Sequence, residues 1–163
     1  MATLQFTAVH VRGLLDLSRT DLHRWLTLLP PFNQAPTRAR TARHFTISDL
    51  AFFSLVALLH RRLGLPVPVI ARFSELLYEH VSRLSSLSTP MARIFLNQIG
   101  GDAWEISPEA KGSLSISIDP EPVWDAVYQF IGLSTPAQRE LTLGLIAVSP
   151  IPLKERDHGR RAS

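Results

Sequence analysis

The stretch from Thr46 to Gly64 constrains this chain more than any other. Thr46 with Asp49 three residues on is a capping-box variant, in which hydroxyl and carboxylate reciprocally satisfy the first free amides of a helix. The residues that follow, Ile47 to Leu63, are strongly apolar, and Gly64 suits the left-handed cap at which helices end. Such a helix must be buried against something. Its apolar run from Leu50 to Leu59, like the later run from Leu141 to Ile151, falls well short of the roughly 18 to 20 residues that span a bilayer. The expectation is a soluble protein without a membrane partner. In 163 residues with 45% apolar side chains there is enough material for one compact domain, or a small domain with an appendage.

Upstream of this helix, Thr7 precedes a two-turn helix from about Ala8 to Leu15, and Asp16 and Leu17 make a turn. Ser18 is an N-cap candidate for a second helix in which Leu22, Trp25, Leu26 and Leu29 recur at three- and four-residue spacing. Two helices this short bury little alone, so they are expected to cross as a helix-turn-helix sharing a core of Val9, Leu14, Leu17, Leu22 and Trp25. Pro30 and Pro31 end the second helix, and Asn33 to Arg43 reads as an exposed loop or β-hairpin. Beyond Gly64, the positions Val69, Ile70, Phe73, Leu76, Leu77, Val81 and Leu84 continue a helical stripe. Together with Ile47–Leu63 it predicts an α-hairpin backing the first two helices.

After Ser85 to Ser88 the pattern changes. Thr89 and Pro90 give a cap and first turn, predicting a helix from Met91 to Ile99 stopped by Gly100 and Gly101. Ser113 to Ile118 alternates polar and apolar as a half-buried strand does, with Trp104 to Ile106 as its expected partner. Pro120 and Pro122 open a helix carrying Val123, Trp124, Val127, Tyr128 and Ile131 to Gly132, where the aromatics are read as core and Asp119, Glu121 and Asp125 as favouring its N-terminus. A last, weaker helix is expected from Pro136 to about Leu145, and a frayed tail from Ser149.

With no cysteine, the chain has no disulfide, thiolate metal site or cysteine nucleophile. None of the six histidines forms the close pair of a helical metal site, and no phosphate-binding glycine loop or nucleophile elbow is present. The expectation is a non-enzymatic protein without a cofactor. Net charge is only +3, but residues 1 to 45 hold six arginines against two aspartates, whereas residues 91 to 163 hold seven lysines and arginines against nine acids. A polyanion would meet the front of the molecule. There a short exposed helix can present Arg19, Thr20, His23 and Arg24 to base edges in the major groove, with Ser18 and its cap amide near a phosphate. Arg38, Arg40, Arg43 and His44 on the following segment would neutralise the adjacent backbone.

From about Phe6 to Tyr78 the sequence resembles the MerR family of bacterial transcription regulators. Ser18, Leu22 and Trp25 stand at its capping Ser, core Leu and helix aromatic; Arg43, Phe45 and Asp49-Leu50 resemble its wing-to-helix signature, and Gly64-Leu65 with Ile70 also match. Asp16 takes the turn position where the family often has Gly, and His23 one where it typically has Arg. The resemblance implies a mainly α fold: a winged helix-turn-helix with a helical hairpin over residues 1–88. From the residue pattern, not the resemblance, an α+β dimerisation or partner-binding region is expected over 89–148 and a flexible tail over 149–163. The resemblance also implies a homodimer on double-stranded DNA that distorts a two-fold operator, with RNA polymerase as a further partner; the cytoplasm, at the nucleoid, is the expected location, since the first residues show no secretory-signal pattern. Two other readings share these residues. One is a protein-interaction adaptor built on a MerR-like domain; the other is an excisionase-like architectural DNA bender.

Overall fold

The computed structural model describes residues 4–34, 42–84 and 92–133. They form a mainly helical assembly with one small antiparallel sheet. In chain order the elements are α1 (Ala8–Leu15), α2 (Arg19–Leu28), a 3-10 turn (Phe32–Gln34), α3 (Ile47–Leu63), α4 (Val67–Ala71), α5 (Ser74–Arg83), β1 (Ile94–Gly100), β2 (Ala103–Ser107), β3 (Leu114–Ile118) and α6 (Glu121–Phe130).

Helix α3 is the centre, and α1, α4, α5 and α6 all pack on it. Its start is built as the capping box requires: the Thr46 amide donates to Asp49 Oδ2 at 2.7 Å, and the Asp49 amide to Thr46 Oγ1 at 3.2 Å. Gly64 ends it with φ +67, a conformation that costs glycine little. Its burial is nearly all-round, as the apolar run demands: Leu50, Phe52, Phe53, Val56 and Leu59 are fully enclosed. Phe53 packs on Phe32 at a tilt of 38° with ring centroids 4.7 Å apart, and Phe45 meets Phe53 edge-on at 5.9 Å. Phe45 also exchanges two backbone hydrogen bonds with Phe6, both 2.8 Å, stitching the segment before α1 to the segment before α3.

The α1–α2 pair follows the expected boundaries, but its core differs. Val9 is 71% exposed, while Val11 and Leu15 are buried and Leu14 and Leu17 only partly covered. On a helix of two turns, a stripe through 8–15 can be drawn on either side of Leu14, and packing on α3 selects the side of Val11 and Leu15. The continuous stripe expected after Gly64 is two helices: it breaks at Arg72 and Phe73 between α4 and α5.

The larger correction lies at 94–100. The expected helix there is strand β1, the middle of a sheet ordered β2-β1-β3. Ile94 and Leu96 are buried on one face, and the β-branched and aromatic content of the segment suits a strand, whereas Ile94, Leu96 and Ile99 could equally be read at helical spacing. Consequently β2 and β3 do not pair with each other; each pairs antiparallel with β1. The link from β2 to β3 must therefore cross β1, and it does so over Asn97, which is fully buried. Asn97 Nδ2 donates to Ser107 Oγ (2.9 Å) and to the Glu109 carbonyl (3.0 Å), while its Oδ1 accepts from the Lys111 amide (2.9 Å) and Ser115 Oγ (2.6 Å). Gly112, at φ +76, presses so closely on β1 that a Cβ there would lie 2.4 Å from the Gln98 carbonyl oxygen. The sheet meets the helices through Trp104 on Phe73 (4.9 Å) and an ion pair of Arg72 with Asp102 (2.5 Å).

Helix α6 returns to α3, so one core runs from Phe6 to Tyr128 and includes both α3 and the sheet. Trp124 and Tyr128 are core, as their spacing predicts, and Asp119 Oδ1 accepts the Glu121 amide at the helix start. The helix expected at 136–145 and the tail from Ser149 lie outside the described residues.

Candidate functional site

Helix α2 has two unlike faces. Leu22 and Trp25 are buried beneath it, and Trp25 meets His60 of α3 edge-on at 6.2 Å. His60 is itself held by a 2.8 Å hydrogen bond between Nδ1 and the Leu65 carbonyl. The opposite face carries Arg19, Thr20, His23 and Arg24, all exposed. Among the described residues no carboxylate forms an ion pair with Arg19 or Arg24. Ser18 caps the helix as expected: its Oγ accepts the Asp21 amide at 3.0 Å and donates to Asp21 Oδ2 at 2.6 Å. The exposed cations thus stand on a helix fixed by its cap and by a buried aromatic.

The turn that aims α2 is also fixed. Asp16 is left-handed at φ 50, a conformation that aspartate tolerates better than most side chains. The Leu17 amide donates to the Arg12 carbonyl (3.2 Å), Arg12 Nε donates to the Leu17 carbonyl (3.2 Å), and Arg61 Nη2 reaches the Asp16 carbonyl (3.1 Å). Arg61 therefore brings the basic last turn of α3, with exposed Arg62 beside it, to the α1–α2 turn. Sequence reasoning missed Arg12, Arg61 and Arg62. The run His60-Arg61-Arg62 was visible, but nothing local says which turn it would meet 45 residues back.

The second group of expected residues is divided. Arg43 is half-buried: its Nη2 donates to the Phe32 carbonyl at 2.8 Å and its guanidinium lies 5.7 Å from the Phe32 ring centre. It ties together the two sides of the 35–41 segment. His44 is exposed beside Phe45. Arg38 and Arg40 lie outside the described residues.

Elsewhere, Leu4, Phe6, His10, Phe130 and Ile131 line an open cleft of about 280 Å³. His10 is committed there, since its Nδ1 accepts the Thr7 amide at 3.0 Å and its ring meets Phe6 edge-on. Three titrations are displaced by packing. Burial, and then the neighbouring Asp49 carboxylate, push the Tyr78 phenol up to about 12; burial raises Tyr128; burial and then Arg83 lower His80. None lies on the exposed face of α2. Among the described residues no group of three or more histidines and acids is placed to hold a metal ion, and no helix is long and apolar enough to cross a membrane.

Comparison with known protein families, with characterised proteins and with solved structures gives no match.

Proposed function

We propose that this protein is a sequence-specific, double-stranded DNA-binding transcription regulator whose residues 6–78 form a MerR-like winged helix-turn-helix. The observation that carries the reading is the outer face of α2, where Arg19, Thr20, His23 and Arg24 stand exposed on a capped helix whose opposite face buries Leu22 and Trp25. Helix α2 enters the major groove, where arginine recognises guanine edges by paired hydrogen bonds, and its capped N-terminus faces a phosphate. Arg38, Arg40 and His44 contact the flanking phosphate backbone, and Arg61 and Arg62 add charge at the α1–α2 turn. A dimer reads two half-sites from the cytoplasm, and promoter-bound RNA polymerase is its natural further partner.

The test is fluorescence anisotropy with duplex DNA from upstream of the protein's own gene and a scrambled duplex, at about 50 and 200 mM salt. Tighter binding to the first duplex, weakened by salt, is the expected result. Arg19→Ala and Arg24→Ala should each weaken it roughly 10-fold or more, the loss of about one bidentate base contact. Parent-like affinity in both variants would overturn the assignment of α2. Equal weak binding to both duplexes would favour an architectural bender. A second reading, a protein-interaction adaptor, is favoured by the exposed Leu4 and Phe130 at the apolar cleft, and it predicts no DNA affinity at all.

A further inference from the structure

The sheet has two unlike edges. The β2 side is blunted: β2 carries Glu105, paired with Lys111 at 3.6 Å, and its hairpin is tied to the helices by Arg72–Asp102 and by Trp104 on Phe73. The β3 side has none of these devices. Residues 113–118 read Ser-Leu-Ser-Ile-Ser-Ile, without a charge or a proline, and the β1–β3 register runs without a bulge. Among the described residues nothing pairs with its outer edge. Such an edge is a template for another strand unless it is protected.

We propose that β3 pairs antiparallel with β3 of a second copy of this chain, centred on Ile116, so that two sheets become one of six strands across a two-fold axis. Two observations select this occupant. Leu114 is 47% exposed and Ile116 half-buried on the face where Leu96 and Ile118 are buried, so the apolar surface ends unfinished at this edge. Pairing about Ile116 sets each Ile116 against its equivalent and each Leu114 against Ile118 of the other copy, which continues that surface. The charges that flank the strand are opposite in sign, Lys111 before it, within reach of Glu105, and Asp119 after it, so antiparallel pairing brings opposite signs to the same end. Parallel pairing would set like against like. A five-residue strand edge is a small contact, in the class of weak, transient interfaces that bury less than roughly 1,200 Å², so the dimer is a weak one.

This inference rests on the sheet alone, and its failure would leave the reading of α2 untouched. Sedimentation equilibrium of the full chain from about 1 to 300 μM should show a monomer passing to a dimer, the range that a contact below the permanent class implies. Leu114→Lys, which supplies the missing edge charge at an exposed position, should raise the dissociation constant at least 10-fold, the scale of a charge left against an apolar partner. Because the chain has no cysteine, Ile116→Cys oxidised with diamide should cross-link into covalent dimers, since directly opposed strand residues lie within disulfide reach. Leu114→Cys, set against Ile118, should not. A monomer throughout that range overturns the inference. So does a dimer that survives Leu114→Lys, or one that Ile116→Cys fails to cross-link.

Discussion

The helical layer and the sheet are held by opposite means. Around α3 the contacts are aromatic and aliphatic: Phe32, Phe45, Phe52 and Phe53 lie ring against ring with centroids between 4.7 and 6.4 Å apart. In the sheet the organising residue is Asn97, whose buried carboxamide makes four hydrogen bonds. Dispersion and water exclusion are non-directional and scale with contact area, so the helical layer should respond to volume. A buried amide is directional and costly when unpaired, so the sheet should respond to hydrogen-bond loss even at constant volume.

The largest expected effect breaks the helical side of that comparison. Phe53→Ala removes a ring that touches Phe32, Phe45 and Phe52 and should cost about 3–5 kcal/mol of unfolding free energy, read by denaturant titration. Phe53→Leu, which keeps most of the volume, should lose well under half of that. Equal losses for the two would mean that ring geometry, not volume, holds the layer.

The second effect tests the sheet in the opposite sense. Asn97→Leu keeps the branched shape but strands the Lys111 amide beneath the crossover, and should cost about 1–3 kcal/mol. Amide exchange at Lys111 should accelerate while exchange in α3 stays slow. A neutral substitution would show that the crossover is held by Gly112 packing on Gln98 instead.

The same contrast explains what the sequence made legible. Caps and apolar periodicity are local, so α1, α2 and α3 could be placed by Thr7, Ser18, Thr46 and Gly64 from the chain alone. The outer face of α2 followed, because Leu22 and Trp25 reveal which side is buried and hence that Arg19, Thr20, His23 and Arg24 lie opposite. Strand β1 was not legible, since Ile94-Phe95-Leu96 with Ile99 satisfies a helical stripe as well as a strand, and the choice is made by β2 and β3 flanking it. Asn97 gave no signal either. A lone asparagine in an apolar run reads as a break until the crossover that covers it is known. Arg61 was hidden for the related reason that its target, the Asp16 carbonyl, is brought near only by tertiary packing.

One polar contact inside the helical layer sharpens the comparison, with the smallest expected effect. Tyr78 donates to Asp49 Oδ1 at 2.9 Å, joining α5 to the capping box that starts α3, and its phenol is raised from 10.0 to about 12 by burial and by that carboxylate. In the unfolded chain the phenol ionises near 10, so from pH 10 to 12 the unfolded state has released a proton that the folded state still holds. The contribution of Tyr78 is therefore complete below pH 10 and is lost as pH rises toward 12. Because the side chain is only partly buried, solvent screening keeps this term modest. Tyr78→Phe should be slightly less stable than the parent at neutral pH and should lack this part of the alkaline decline, so that the two unfolding curves converge above pH 10. Curves that stay parallel would place the ionisation elsewhere and leave the helical layer apolar in its energetics as well as its contacts.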